Sequence, residues 1–365
     1  SEKTASQIEV HKKYGGVVPE VAGRCHAENI VPVIEAVMRE GNEEMKKLRN
    51  KGNELKKPDL IAVTAGPGLI TGLVVGVEAA KTLSYLWAVP LVDVNHIAGH
   101  AHSVQIRNSK LETRNKLENQ ISKIEYPALA LIVSGGHTEL LLMKDATTFE
   151  LVGKTRDDAA GEAFDKVGKL LGFDYPGGPK ISKFAAEGDP NAIKFPRPML
   201  DEDNYDFSFA GLKTAALYWL RDHPYFVIAS KVRNLDRSKG DPSPAAQDDE
   251  DMNIRHFCAS FEQAIVDTLV FKTIRAAKQY QPKTIILGGG VSANKKLRES
   301  LQTATKQLPL ISSFRFPVSR YCMDNGAMIA VAGYYLAQEG RYTHWKDIQV
   351  DPNWRVYEKK LETIN

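Results

Sequence analysis

Two histidines stand four residues apart in Asn95-His96-Ile97-Ala98-Gly99-His100, and far downstream lies Asp324-Asn325-Gly326. On a helix, residues at that spacing share one face a turn apart, close enough for both imidazoles to grip a single metal ion. A carboxylate from Asp324 would supply a third ligand and leave coordination positions open for a substrate. The competing reading is that His96 and His100 are ordinary polar helix residues.

Two glycine-rich turns share the chain with this pair. Leu131-Ile132-Val133-Ser134-Gly135-Gly136-His137-Thr138 is an apolar strand that breaks into Ser-Gly-Gly and resumes as a strand. Its glycines let the backbone present N–H groups to an anion, with Ser134 and Thr138 adding hydroxyls; the alternative is a plain hairpin turn. In Gly288-Gly289-Gly290-Val291-Ser292-Ala293-Asn294 a strand ends in three glycines at an expected helix start, where free N–H groups and the helix dipole favour phosphate or a ribosyl hydroxyl. Asn294 adds an amide ligand. Gly66-Pro67-Gly68…Gly72 does not make a dinucleotide fingerprint, because its spacing is wrong and no acid follows a second strand. A phosphate-binding P-loop and a serine-hydrolase elbow are both missing. Asp158, Glu162 and Asp165 fall on one helical face. Asp157 and Asp158 read as caps of that helix, whereas Asp165 is an interior acid among apolar neighbours. Tyr175-Pro176-Gly177-Gly178-Pro179 reads as a loop whose backbone can approach a ligand.

The elements that must hold these residues alternate between strand and helix. Helices are expected over Cys25 to Leu48, through Val77, Ala80 and Leu83, and from His96 with Asn95 as N-cap. Others are expected over Ala159 to Leu171, Ser208 to Leu220, Val291 onward and Met323 to Leu336. Asn253 is expected to cap a long amphipathic helix through Ile254, Phe257, Phe261, Ile265 and Leu269. Strands are expected at Leu60 to Thr64, Leu91 to Val94, Ala128 to Val133, Glu139 to Met143, Phe149 to Val152 and Thr284 to Leu287, the middle three hairpin-linked and antiparallel. Residues 107–123 read as a surface excursion and 222–253 as a long mobile loop. This alternation argues an α/β protein, and 365 residues argue two lobes.

Composition is that of a globular chain, 43% hydrophobic and 25% charged with a mean hydropathy of -0.31, and no apolar run could span a bilayer. The three cysteines, Cys25, Cys258 and Cys322, lack paired spacing, which fits a reducing compartment and excludes a thiolate zinc site. A net charge of +3 permits a nucleic-acid partner without demanding one. Ser1 is not an initiator methionine and the opening residues resemble no targeting leader, so a fragment or processed product is expected.

The motifs add up in order along nearly the whole chain. They are Tyr14-Gly15-Gly16-Val17-Val18-Pro19-Glu20, Thr64 to Gly68, His96 to His100, Val133 to Thr138 and Asp157 to Lys166. They continue with Tyr175 to Pro179, Phe207-Ser208-Phe209-Ala210-Gly211-Leu212-Lys213, Gly288 to Asn294 and Cys322 to Met328. Together they closely resemble the tRNA threonylcarbamoyladenosine transferase family, the bacterial TsaD and archaeal and eukaryotic Kae-type group once described as glycoproteases. Their wording is of the bacterial type, which implies a bacterial cytoplasmic or organellar enzyme.

The resemblance implies an actin-like ATPase (ASKHA) fold with a nucleotide and metal cleft between two lobes. The expected lobes are 1–125, to which 340–365 returns, and 126–339. It implies transfer of a threonylcarbamoyl group from its adenylate to N6 of the adenosine beside the anticodon of ANN-decoding tRNAs. His96, His100 and Asp324 would be the catalytic metal ligands for one iron or zinc ion, a Lewis acid suited to an acyl adenylate. Ile132, Val133, Ser134, Gly135 and Gly136 would surround the phosphate and acyl part, and Asp165, Gly178, Gly289 and Asn294 the nucleoside. Expected partners are tRNA, a small actin-fold paralogue subunit, an ATPase subunit and an upstream synthase of threonylcarbamoyl-AMP. The apolar face Ile30 to Met38 is either a docking face for the related subunit or core.

Two features depart from the family pattern. The family opens with a strand and a Ser-Cys-Asp-Asp-Thr phosphate loop, and this sequence starts after it, so the first phosphate loop is expected to be lacking. Residues 105–124 and 222–252 are longer than expected. A metalloprotease would need a glutamate directly after the first histidine, where Ile97 stands. A non-catalytic actin-fold subunit would have lost its metal set, whereas all three candidate ligands are present.

Overall fold

The computed structural model describes residues 1–49, 57–106, 123–223 and 244–358. The expected excursion at 107–123 and most of the expected loop at 222–253 therefore lie outside the described residues. The chain divides into two compact units: Ser1–Ile124 with Met143–Phe149 and Pro317–Asn365, and Glu125–Leu142 with Glu150–Phe316.

The first unit opens with α1 (Ile8–Lys12) and α2 (Pro19–Arg49), then β1 (Ile61–Gly66), α3 (Ile70–Trp87), β2 (Leu91–Asn95) and α4 (His96–His102). Strand β1 pairs parallel with β2, Ile61 opposite Leu91, as a strand–helix–strand crossover through α3 requires. Helix α3 turns Val77 and Ala80 inward, and β2 buries Leu91, Val92 and Val94. The last helix, α10 (Gly326–Gln338), lies against this pair and against α4. The division thus differs from the expected boundary: residues 317–339 group with the first unit because α10 packs on β1, β2 and α4. The contact is close at Gly333, where an added Cβ would stand 2.5 Å from Ala62 Cβ and 3.4 Å from Val94 Cγ2.

The second unit holds a five-stranded sheet in the order β5-β4-β3-β6-β7. Its strands are β3 (Ala128–Val133), β4 (Thr138–Met143), β5 (Phe149–Lys154), β6 (Thr284–Gly288) and β7 (Ser313–Arg315). Strand β3 runs parallel to β6, and β6 parallel to β7. The connections 134–137 and 144–148 are too short for a crossover, so β3, β4 and β5 run antiparallel, as their sequence spacing implied. Every residue of β3 is fully buried, which explains its unbroken apolar run. Around the sheet lie α5 (Ala160–Leu170), α6 (Gly177–Ala185), α7 (Ala210–Asp222), α8 (Pro244–Tyr280) and α9 (Lys295–Thr305). Phe164, Phe195, Phe257 and Phe261 interlock, three of their pairs edge to face, between α5, α8 and the chain before α7.

Several expectations need correction. Helix α8 begins at Pro244, so Asn253 lies inside it rather than at its start. Residues 290–293 form a single 3-10 turn, and the helix after the glycines begins only at Lys295, with Asn294 as its N-cap. Helix α10 begins at Gly326, so Asp324 precedes it. Strand β7 and helix α6 have too few residues, and too many glycines, for a periodic signal to announce them.

Gly333→Ala forces the α10–β1 contact apart. Overpacking costs about 1–3 kcal/mol, and the better helix propensity of alanine returns up to about 1 kcal/mol. A net loss in urea unfolding is expected, with part of it recovered on adding Ala62→Gly. Equal stability of Gly333→Ala and the parent chain would refute this packing.

Candidate functional site

The sequence places a helix start directly after a strand end, and that junction carries the first candidate site. Asn95 closes β2 and caps α4, its Oδ1 accepting from the Ile97 N–H at 2.9 Å while its Nδ2 donates to the Trp354 carbonyl at 3.0 Å. His96 and His100 then fall one turn apart with ring centroids 4.6 Å apart. Asp324 sits in the turn before α10, which Asn325 fixes by accepting from Met328 N–H at 2.9 Å and donating to the Met323 carbonyl at 2.8 Å. Gly99 lets α4 and α10 meet: a Cβ there would lie 2.7 Å from Ile329 Cδ1 and 3.2 Å from Met328 Cγ. Asp324 Oδ1 is thereby brought 3.2 Å from His100 Nε2 and 3.4 Å from His96 Nε2. One ligand atom from each of the three residues lies within 4.8 Å of the others.

The electrostatics suit a cation. His100 is fully buried, and both its ring nitrogens lack a hydrogen-bond partner among the described residues. Burial pushes its pKa down, against the opposing pull of Asp324 and with the help of His96, so the ring is neutral at pH 7 and offers a lone pair. Crowding by protein raises the Asp324 pKa, but hydrogen bonds with His100 and His96, joined by their charge, hold it well below the usual carboxylate range. A neutral, orphaned imidazole beside an ionised carboxylate is a costly arrangement in water-free surroundings, and a divalent ion would satisfy both groups. The Asp324 side chain is exposed, which leaves one side of the set open. His102, the third histidine of α4, is not part of it: its Nε2 lies 2.8 Å from the Ala146 carbonyl and its Nδ1 2.6 Å from Gln105 Oε1.

The remaining candidates all belong to the second unit. The two glycine turns lie side by side at the carboxyl ends of neighbouring parallel strands, Ile132 opposite Gly288. Gly289 has φ +85°, and a Cβ there would overlap the Val133 carbonyl. The direction changes at this edge, since β3 turns back into β4 while β6 crosses over to β7, and such switch points are where open α/β sheets bind ligands. Gly135 and Gly136 are exposed, and a Cβ on either would meet nothing within 4 Å. Ser134 Oγ accepts from the His137 N–H at 3.1 Å and braces the turn. Ile132 and Val133 are fully buried, so only their backbone can face a ligand. Thr138 is buried too, its hydroxyl accepting from Ala160 N–H at 2.9 Å at the start of α5, so it adds nothing to the turn.

Asp165 reaches from α5 to the start of α6, where its Oδ1 accepts from Gly177 N–H at 2.8 Å and Gly178 N–H at 3.3 Å. Burial raises its pKa against these two bonds. Asp157 and Asp158 do not cap their own helix. Asp157 accepts from Phe209 N–H at 2.8 Å and Ala210 N–H at 3.2 Å at the start of α7, and Asp158 pairs with Lys213 at 2.7 Å and Lys166 at 2.9 Å. Asn294 Oδ1 caps α9 by accepting from Leu297 N–H at 2.8 Å, while its Nδ2 donates to Ser182 Oγ and Glu262 Oε1. The geometry therefore joins Asp165 and Gly178 at one end of α6 to Asn294 a turn further along it. Ser182 and Glu262 escaped sequence reading, although a lone acid between Phe261 and Ile265 on an apolar helix face was a signal.

His100→Ala and Asp324→Ala should each reduce bound iron or zinc from one per chain to background, measured by elemental analysis, with the far-ultraviolet circular dichroism unchanged. Stoichiometric metal in either variant would refute the ligand set.

With the geometry in place, comparison with known proteins is informative. The family model for tRNA N6-adenosine threonylcarbamoyltransferase (TsaD) matches residues 1–331. A protein of that name from Geobacillus kaustophilus is 44% identical over 341 residues, covering 93% of this chain and 86% of its own length. One from Staphylococcus aureus is 42% identical over 342 residues, 94% of this chain and 86% of the relative. One from Listeria monocytogenes is 44% identical over 353 residues, 96% and 88% respectively. Among solved structures, T. kodakarensis HypF superposes with a TM-score of 0.55 at 14% identity, covering 88% of this chain but 45% of HypF. Full-length HypF in its phosphate- and nucleotide-bound form gives 0.53, also at 14%, over 83% and 42%. The HypF likeness concerns the α/β fold alone, but the matched residues and the identity across most of the chain place this protein in the tRNA N6-adenosine threonylcarbamoyltransferase family.

Proposed function

We propose that this chain transfers the threonylcarbamoyl group of threonylcarbamoyl-AMP to N6 of the adenosine 3′ to the anticodon in ANN-decoding tRNAs. The N6 amine attacks the carbamoyl carbonyl carbon, the bond from that carbon to the phosphate oxygen breaks, and AMP leaves with the electron pair as N6 gives up a proton. The observation that carries this reading is the family membership over nearly the whole chain together with the intact His96, His100 and Asp324 set.

The residues divide the work by chemistry. His96, His100 and Asp324 would hold one iron or zinc ion, which when bound supplies a Lewis acid for a carbonyl and for phosphate charge. Backbone N–H groups of the Ser134, Gly135 and Gly136 turn, with the chain at Ile132 and Val133, take the phosphate and acyl part. Gly289 gives that ligand room. Asp165, whose Oδ2 accepts no hydrogen bond among the described residues, takes the nucleoside with Gly178 and Asn294.

We assign the actin-like ATPase fold, a bacterial cytoplasmic setting, and tRNA as the macromolecular substrate. Among the described residues no helix is long and apolar enough to cross a membrane. The apolar face of α2, where Ile30, Val33, Ile34 and Val37 are half-buried and Val31 is exposed, suits the small actin-fold subunit. An ATPase subunit and a synthase of threonylcarbamoyl-AMP complete the set. The metalloprotease reading has no general base, because the buried Ile97 occupies the required position.

Gly135→Val places its side chain in open space, so the fold should persist while phosphate approach is blocked. Its AMP dissociation constant should rise more than tenfold, over about 1.4 kcal/mol by calorimetry; an unchanged value would make the turn purely structural. With partner subunits, a source of threonylcarbamoyl-AMP and tRNA present, labelled threonine should appear on the tRNA with this chain and vanish with His100→Ala. Transfer that is indifferent to this chain would overturn the function.

A further inference from the structure

Glu262 lies midway along α8 beside Phe261, Cys258 and Ile265, all fully buried, and only 7% of it is exposed. A carboxylate in such surroundings persists only with partners. Those partners are two side chains from elsewhere in the second unit. Asn294 Nδ2 donates to Glu262 Oε1 at 2.6 Å and to Ser182 Oγ at 2.9 Å, and the Ser182 hydroxyl in turn donates to Glu262. The three groups close a ring.

That ring decides how Asn294 meets a ligand. A primary amide nitrogen carries two hydrogens, and here both are used. The carboxylate and the Leu297 N–H settle which end is which, because an ionised carboxylate only accepts and a backbone N–H only donates. The nitrogen therefore faces Glu262 and the oxygen faces the start of α9. The oxygen keeps a second lone pair.

We infer that Glu262 is a positioning residue for the nucleotide: acting through Asn294, it makes that side chain present an acceptor and so select a hydrogen-bond donor on the ligand. This rests on the assignment of Asn294 to the nucleoside. In AMP the donors are the ribosyl hydroxyls and the exocyclic amine, and losing a hydrogen bond to a buried acceptor carries a binding penalty.

The test is calorimetry on the full chain with AMP, 2′-deoxy-AMP, 3′-deoxy-AMP and IMP. The variants are Glu262→Met, which keeps the volume and removes the acceptor, Glu262→Gln, which keeps an acceptor, and Asn294→Ala. Glu262→Met should weaken AMP about tenfold, as Asn294→Ala does, and the double variant should be no weaker than Asn294→Ala alone. Glu262→Gln should stay within about threefold. In the parent chain at least one of the three analogues should bind about tenfold more weakly than AMP, and Glu262→Met should erase that penalty. Wild-type affinity in Glu262→Met alongside a weak Asn294→Ala would overturn the role of Glu262. Wild-type affinity in Asn294→Ala would instead overturn the nucleoside assignment, and the inference with it. If Glu262→Met does not fold, the Asn294 side-chain amide in the parent chain decides: slow proton exchange by nuclear magnetic resonance supports the ring, and solvent-like exchange overturns it.

Discussion

The approach of α10 to α4 at Gly99 is the constraint on which the metal-type site depends. His96 and His100 need only helical geometry to share a face, but a carboxylate more than two hundred residues away must be delivered to them. Asp324 arrives because α10 packs into the space that a side chain at position 99 would fill, and against Ala62 through Gly333. Side-chain amides on both sides then fix the two helix starts, Asn95 for α4 and Asn325 for α10. The site is thus an outcome of two glycines and two caps rather than of the ligands themselves. The same packing drives His100 out of water, which keeps its ring neutral and its nitrogens unpartnered.

In the second unit a different device recurs: acids that cap helices other than their own. Asp157 serves the first N–H groups of α7, and Asp165 those of α6. Neither α6 nor α7 has a side-chain cap from its own N-cap residue, so the free N–H groups recruit a carboxylate from α5 or the chain just before it. This stitches segments far apart in sequence around the carboxyl edge of β3 and β6. It also accounts for acids in an otherwise apolar stretch without appeal to catalysis, while leaving one oxygen of Asp165 for a ligand. A buried cation is handled in the same manner. Lys272 is fully buried and its Nζ donates to the Asn204 carbonyl at 2.7 Å, pinning the chain before α7 to α8.

The sequence by itself determined whatever depends on neighbours along the chain. Period-two and period-3.6 patterns located β3, β4, β5, β6 and the body of α8, because burial of one face imprints itself on local spacing. Asn95 was legible as a cap and the His96/His100 pair as a shared face for the same reason. Runs of glycine announced both turns, since few other residues permit such backbone.

Only the tertiary structure decided what depends on long-range approach. The role of Asn294 as both cap and ring member, and the partners of Asp157, Asp158 and Asp165, follow from which segments come to lie side by side. Helix starts moved for a related reason: Asn294 and Asn325 satisfy N–H groups three residues on, which places the first helical turn later than the apolar pattern does. Thr138 looked like a ligand donor by its place after the glycines, yet strand alternation and the packing of α5 turned its hydroxyl to Ala160. Glu262 was visible as an odd acid on an apolar face, but its partners sit 32 residues downstream and on another helix. Hydrophobic periodicity records burial, not the identity of what a buried polar atom meets, and that is why the elements were readable and their polar contacts were not.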